Sequence, residues 1–123
     1  MTRSAEIPFM RHLMIALGAR PELRIHRQNT GKVPVRDRAG KVQRVFDTGL
    51  PNGAADISGI VRGGRRIEIE TKAADGEQSD EQKSWQRMIE SFGGIYVLVT
   101  YDESKTLEEN LEAAIQQILS AAA

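Results

Sequence analysis

Apolar side chains recur at helical spacing in three segments of the chain, which predicts three helices that each pack one side on a core. The first covers residues 5–18, with Ser4 as its predicted N-cap and Gly18 at its end. Its apolar stripe consists of Ile7, Met10, Leu13, Met14 and Leu17.

The other two helices each begin at a capping box, in which a Ser or Thr is followed three residues later by Gln or Glu. Ser79–Gln82 starts the second helix, which extends to about Phe92, and Thr106–Glu109 starts the third, which extends to about Ala121. The second helix carries its apolar stripe at Trp85, Met88, Ile89 and Phe92.

Segments between the helices show the patterns of strands. Leu23–Gln28 alternates in polarity, and Ala55–Val61 and Arg66–Lys72 flank a Gly63-Gly64 turn, which predicts a hairpin. Ile95–Thr100 is continuously apolar, which is typical of a buried central strand.

Residues 32–54 are rich in Gly, Pro and basic side chains, and predict a long irregular segment with a short hairpin around Asp37–Gly40. The order of elements predicts an α/β fold, with a mixed β-sheet flanked by helices. At 123 residues, the chain fits one domain, residues 1–123.

Composition excludes several classes of protein. The chain has no cysteine, so disulfides and thiolate metal sites are excluded, and any metal ion must be held by oxygen or imidazole ligands. No stretch approaches the length of a membrane span, and the N-terminus lacks a secretory leader. We therefore expect a cytoplasmic protein with no membrane partner.

The formal net charge is zero, but the two signs are separated along the chain. Residues 1–66 contain 13 Lys and Arg against 5 Asp and Glu, whereas residues 67–123 contain 4 against 12. This separation fits a basic face for a polyanion beside acidic groups that hold a cation, and it equally fits two solvated acidic helices.

Two acids and a lysine on the predicted hairpin are candidates for chemistry. Glu70 and Lys72 share one face of their strand, and a turn at Gly63-Gly64 places Asp56 opposite them. Two carboxylates and the intervening carbonyl of Thr71 are ligands that Mg²⁺ accepts, and a nearby Lys can assist phosphodiester hydrolysis by metal-bound water. Taken alone, Glu-x-Lys is more often a solvated strand face.

Several further motifs follow one another in the same region. They are Gly53-Ala54-Ala55-Asp56-Ile57-Ser58-Gly59, Ile67-Glu68-Ile69-Glu70-Thr71-Lys72, Asp75-Gly76, Ser79 with Gln82 and Trp85, and Gly93-Gly94. In this order they resemble the VRR-NUC family of the PD-(D/E)xK nucleases, and the small size is similar to its stand-alone, phage-type members. The resemblance covers essentially the whole chain and is most specific over residues 53–94.

The resemblance implies a restriction-endonuclease-like core and an endodeoxyribonuclease that depends on Mg²⁺ or Mn²⁺. It implies that the catalytic residues are Asp56, Glu70, Lys72 and Gln82, the last of which supports the active site. The implied metal ligands are Glu6, Asp56, Glu70 and Thr71. Glu6 equally fits a helix-dipole role and Gln82 a capping role.

One departure concerns the triplet suggested by the family name. Val61-Arg62 and Arg65-Arg66 are separated by two glycines, so neither Arg65 nor Arg66 is assigned a catalytic role.

Relatives of the stand-alone kind are implied to act as homodimers on branched DNA, including four-way (Holliday) junctions. A basic stretch supports a phosphate-binding surface, although the same composition also fits an ordinary exposed loop. Its DNA-binding candidates are Arg27, Asn29, Lys32, Arg36, Arg38, Lys41 and Arg44.

Two other functions fit the sequence. One is a non-catalytic nucleic-acid-binding module on the same fold, against which the intact Asp56, Glu70 and Lys72 argue. The other is a partner-binding α/β protein that uses its acidic C-terminal helices. Only the nuclease predicts divalent-metal binding that both Asp56→Ala and Glu70→Ala weaken.

Overall fold

The computed structural model describes residues 3–28, 32–47 and 49–123, and it is an α/β structure in which helices flank a mixed β-sheet. This architecture confirms the predicted fold class. The described elements are α1 (Arg3–Gly18), β1 (Leu23–Arg27), β2 (Lys32–Arg36), β3 (Val42–Asp47), β4 (Ile57–Val61), β5 (Arg66–Ala73), α2 (Asp80–Ser91), β6 (Ile95–Tyr101) and α3 (Leu107–Ala122).

The main sheet has four strands in the order β1-β4-β5-β6. Strands β1, β4 and β5 pair antiparallel, and β5 pairs with β6 in parallel. The prediction that Ile95–Thr100 is central is therefore wrong, because β6 lies at an edge of this sheet. Its continuous apolar sequence has another cause, since Val97 and Val99 are buried on one face while Leu98 is half-buried on the other.

One face of the sheet holds the hydrophobic core, which α1 and α3 cover. In the β4–β5 hairpin Ile57 pairs with Ile69 and Gly59 with Ile67, so these four positions face the core together. The buried core residues are Phe9, Met10, Leu13, Leu17, Leu23, Ile57, Val61, Ile67, Ile69, Ile95, Val97, Val99, Ala114 and Ile118. Apart from Ile7, whose side chain lies outside the described residues, the apolar stripe of α1 packs in this core, as do the apolar residues of α3, so neither is a free surface for a dimer.

The opposite face of the sheet carries Glu68, Glu70 and Lys72, as the alternation predicts, and α2 packs on this side. Helix α2 begins with the predicted capping box, in which Ser79 accepts from the Gln82 amide and donates its own amide to the Gln82 side chain. The predicted capping box of α3 is also present.

Two predictions about the helix ends are wrong. Helix α1 begins at Arg3, so Ser4 lies within the helix and is not its N-cap. The placement of Phe92 on the apolar stripe is also wrong, since this C-cap of α2 is 86% exposed. Within the described residues, no helix is long and apolar enough to cross a membrane.

Part of the segment predicted to be irregular forms a separate hairpin of β2 and β3. Its turn lies where the sequence predicts it, because the Asp37 carboxylate accepts from the amides of Ala39 and Lys41 and Gly40 adopts φ +81°. The strands are longer than predicted because β-branched valines continue on both sides of the turn. Within the described residues, this hairpin packs extensively on no other element.

Candidate active site

Asp56 lies in the loop that enters β4, and its carboxylate reaches the neighbouring strand. Its Oδ2 accepts from the main-chain amide and the hydroxyl of Thr71, each at 3.0 Å. Main-chain pairing of β4 with β5 begins only at Ile57 with Ile69. At Thr71 the main-chain amide is therefore bonded by the Asp56 side chain and not by the main chain of β4. The predicted approach of Asp56 to the Glu70–Lys72 stretch is confirmed.

Gly53 holds the same loop against the start of α2. It adopts φ +92°, and a Cβ built on it would lie 2.5 Å from the carbonyl carbon of Glu81 and 2.8 Å from the amide of Gln82. Only glycine permits both the backbone angle and this approach. The loop therefore reaches Asp56 from a fixed contact with α2, and Ala54 and Ala55 between them are buried.

Glu70 is 4% exposed, and its Oε2 has no hydrogen-bond partner among the described residues. Burial and the neighbouring Asp56 carboxylate together raise the pKa of Glu70 to about 9, against the opposing effect of Lys72. An acid this deeply buried beside another acid is stable as a carboxylate only when a cation accompanies it.

Lys72 follows Glu70 on the same face of β5 and is half-buried. Its positive charge acts on the pKa of Glu70, which places the ammonium group within electrostatic range of the acidic pair. No ion pair joins Lys72 to a carboxylate in the part of the chain that the structure describes.

The acidic pair of Asp56 and Glu70 has the ligand atoms that a divalent metal ion requires. Asp56 and Glu70 offer carboxylate oxygens, the ligands that Mg²⁺ and Mn²⁺ prefer, and the orphaned Glu70 Oε2 lacks the positive partner that such an ion would supply. Among the described residues, no group of three His, Cys, Asp or Glu side chains could hold a metal. The remaining candidate ligands are main-chain carbonyls such as that of Thr71, water, the substrate, and Glu6, whose side chain lies outside the described residues.

Two predicted site residues stand apart from this pair. Gln82 Oε1 accepts from the Ser79 amide at 2.9 Å, so the structure shows its capping role and no contact with Asp56, Glu70 or Lys72. Glu6 belongs to α1, but its side chain lies outside the described residues.

The predicted DNA-binding residues divide between β1 and the β2–β3 hairpin. Arg27 is exposed at the end of β1. The hairpin carries a group of exposed basic side chains around its turn, namely Arg36, Arg38, Lys41 and Arg44. Asn29 and the side chain of Lys32 lie outside the described residues.

Sequence reasoning missed a polar network beside the acidic pair. Glu68 is fully buried on the Glu70 face, where it accepts from Trp85 Nε1 at 2.9 Å and from Gln28 Nε2 at 3.2 Å. The strict alternation of Glu68 with Glu70 was the available signal, but an alternating acid ordinarily indicates a solvated face. Trp85, which was predicted to be a core residue, thus also donates a hydrogen bond to a buried carboxylate.

Tyr96 on β6 also faces this region. Burial is the main reason that the pKa of Tyr96 is raised to about 12. A hydrogen bond from Gln78 at 3.2 Å acts to lower this pKa, and the charges of Glu70, Asp56 and Glu68 act to raise it. Tyr96 therefore stays a neutral phenol beside the site. Its position on an apolar strand gave no signal of this.

A comparison with protein-family models found no match to the chain, and a comparison with curated proteins found no relative. The assignment of a function therefore depends on the geometry of the site and on the motif resemblance.

Proposed function

We propose that this chain is a metal-dependent endodeoxyribonuclease that hydrolyses DNA phosphodiester bonds on a PD-(D/E)xK core of the VRR-NUC kind. The observation that carries the proposal is the pairing of Asp56 with the buried Glu70, whose Oε2 is unpartnered, beside Lys72. A purely structural strand face would expose these groups to water or pair each with an opposite charge.

Asp56 and Glu70 would hold one Mg²⁺ or Mn²⁺ ion, with the Thr71 carbonyl as a further ligand. When bound, such an ion activates a water molecule and offsets the charge that develops on the phosphate. The hydrogen bonds from Thr71 leave Asp56 Oδ1 available to the ion while they fix the orientation of the carboxylate. Glu70 would hold the ion as the carboxylate, because the charge of the cation offsets both the burial and the Asp56 repulsion that raise its pKa.

Lys72 acts on the substrate. Its ammonium group lies on the same strand face as the acids, where it can contact the scissile phosphate or orient the attacking water. Both actions stabilise negative charge in the transition state, so Lys72 contributes to the rate of cleavage more than to metal binding.

The β2–β3 hairpin supplies a surface for DNA. A two-stranded ribbon fits the major groove of a duplex, and Arg36, Arg38, Lys41 and Arg44 offer it phosphate contacts. We further propose a homodimer acting on branched DNA such as four-way junctions, because two sites related by a twofold axis can cut two strands symmetrically.

The hairpin also favours the alternative of a non-catalytic nucleic-acid-binding module, because its basic residues would serve binding without any cleavage. The two functions differ in what they require of the acidic pair. A binding module needs no divalent metal ion, and its affinity for DNA would not fall when Asp56 is replaced.

The decisive experiment compares the wild type with Asp56→Ala on end-labelled four-way junction, flap, single-stranded and linear duplex DNA, with Mg²⁺, Mn²⁺ or EDTA. We expect metal-dependent cutting, with junctions preferred, that the variant loses. Junction binding without any cutting would establish the binding module. Absence of both cutting and binding would refute the proposal and leave a partner-binding protein as the remaining function.

A further inference from the structure

Gln28 makes two hydrogen bonds to the Asp56 loop and a third to Glu68 on β5. Its main-chain amide donates to the carbonyl of Asp56 at 2.8 Å, and its side-chain Nε2 donates to the carbonyl of Ala55 at 3.0 Å. The same Nε2 lies 3.2 Å from Oε1 of Glu68. Gln28 is buried, so water does not compete for these bonds.

Glu68 anchors this arrangement to the sheet. Its carboxylate is fully buried on the central strand β5, with Trp85 Nε1 at 2.9 Å on Oε1 and Arg66 Nε at 3.6 Å from Oε2. The charge makes the bond from Gln28 stronger than a bond between neutral groups. The side-chain amide of Gln28 is thereby fixed between Glu68 on β5 and Ala55 in the loop.

We propose that Gln28 is a positioning residue for Asp56, which it fixes by clamping the Ala55–Asp56 main chain to Glu68. The Asp56 carboxylate depends on this clamp because β4 has no main-chain pairing with β5 before Ile57. Two hydrogen bonds from Gln28 take the place of that pairing, and they set the distance from which Asp56 reaches the Thr71 amide. The proposal rests on the proposed nuclease only in taking Asp56 as a metal ligand.

Gln28→Met tests the clamp, because Met has nearly the same length but no side-chain donor for Ala55 or Glu68. Trp85→Phe is the matched control, since it also removes one donor from Glu68 but leaves the bond from Gln28 to Ala55. The reporter is hydrogen exchange of the Thr71 amide in the metal-free protein, with the amide of Ile69, whose register partner is Ile57, as the internal reference.

We expect Gln28→Met to accelerate Thr71 exchange about tenfold or more relative to Ile69, while Trp85→Phe changes the ratio less than about twofold. In Mn²⁺ titrations Gln28→Met should weaken affinity by about 10- to 100-fold, the range found for residues that orient metal ligands. An unchanged Thr71-to-Ile69 ratio in Gln28→Met, or an equal change in Trp85→Phe, overturns the proposal.

Gln28→Asn repeats the test if the Met variant does not fold. It keeps the amide group and the main-chain donor, but the shorter side chain cannot reach Ala55 and Glu68 together, so the same change in the Thr71 ratio is expected. If the wild type neither binds Mn²⁺ nor cuts DNA, the nuclease proposal fails, whereas Thr71 exchange still decides whether Gln28 positions Asp56.

Discussion

Glu70 combines two properties that are costly for the folded chain by itself. It is an acid with almost no exposure to water, and its nearest charged neighbour on the opposite side of the hairpin is another acid, Asp56. Folding without a cation therefore favours the protonated form of Glu70. In the proposed function, binding of the metal ion would offset this cost.

This arrangement predicts how the stability of the metal-free protein depends on pH. The pKa of Glu70 rises from 4.5 in the unfolded chain to about 9 in the folded one, so the folded state holds this proton more tightly. The stabilisation is fully present below about pH 4.5 and is lost as pH rises toward 9. We expect the free energy of unfolding to fall between pH 5.5 and 8.5, by at most about 1.4 kcal/mol per pH unit from this group.

Urea denaturation in EDTA at several pH values measures this effect, with Glu70→Gln as the comparison. The variant keeps the shape of the side chain but cannot ionise, so its stability should change less with pH than that of the wild type. Parallel pH profiles for the two proteins would show that Glu70 titrates normally.

Lys72 should separate metal binding from cleavage. Replacement of Lys72 by Met keeps the aliphatic part of the side chain, and we expect Mn²⁺ affinity to stay within about threefold while the cleavage rate falls by about 100-fold or more, as for removal of one transition-state contact. Isothermal titration and single-turnover cleavage measure the two quantities. A variant that still cuts at a rate near that of the wild type would remove Lys72 from the mechanism.

At the residue scale, the sequence predicts what a local register determines. The meeting of Asp56 with the Glu70–Lys72 stretch follows from one turn and the two-residue period of a strand, and it is confirmed. The contacts of Gln28 and Trp85 with Glu68 join segments that are distant in the chain. They depend on how β1 and α2 are placed against the sheet, which periodicity does not specify.

At the scale of elements, the contact between the Asp56 loop and the first turn of α2 links a helix to the site. We expect Gly53→Ala to destabilise the protein by more than about 1 kcal/mol. The added Cβ would clash with the main chain of Glu81, and the φ of this position is unfavourable for alanine. Gly63→Ala is the control, because Gly63 has a similar φ of +95° but open space around it.

Denaturation midpoints of the two variants, together with Mn²⁺ affinity, test this link. Gly63→Ala should lose only the stability that its backbone angle costs, and its Mn²⁺ affinity should stay normal. Gly53→Ala should lose more stability and also bind Mn²⁺ more weakly. Equal losses of stability in both variants, with normal binding, would mean that the loop and α2 are not coupled.

The β2–β3 hairpin leads to a prediction about salt. Replacing Arg36, Arg38 and Lys41 by Ala should weaken DNA binding and reduce the slope of log K against log salt by about 2 to 3, since each phosphate contact contributes about 0.9. A matched triple variant outside the hairpin, Arg11, Arg87 and Lys105 to Ala, has the same charge change and should keep the slope. Equal slopes for the wild type and the hairpin variant would exclude the hairpin from phosphate binding.

The predicted elements are mostly present, and the errors have identifiable causes. Helices with capping boxes and the hairpin around Gly63-Gly64 follow from local chemistry and are confirmed. The edge position of β6 was not predictable from its apolar run. Because α2 packs on the second face of β6, this edge strand is apolar on both faces, as a central strand would be. The strands of the second hairpin were not predicted, because Pro34 and the surrounding charged residues are typical of a loop.

For the whole molecule, the proposed metal site would couple metal binding to folding. A divalent ion that binds only the folded chain at 100 times its dissociation constant adds about 2.7 kcal/mol, which corresponds to a rise of roughly 10 °C in Tm for a chain of this length. Thermal unfolding with and without Mn²⁺ measures the shift. Asp56→Ala should abolish it, and a shift of equal size in that variant would place the ion elsewhere.

The isolation of the β2–β3 hairpin has a consequence for how the chain can be divided. Its turn at Asp37–Gly40 is exposed, while α1 and β1 before it and β4, β5, β6 and α3 after it contribute to one core. A break at Ala39 would cut the covalent chain without separating packed surfaces. Two peptides, residues 1–39 and 40–123, should therefore reassemble when mixed, so that the turn is a natural point for splitting the protein or inserting a label.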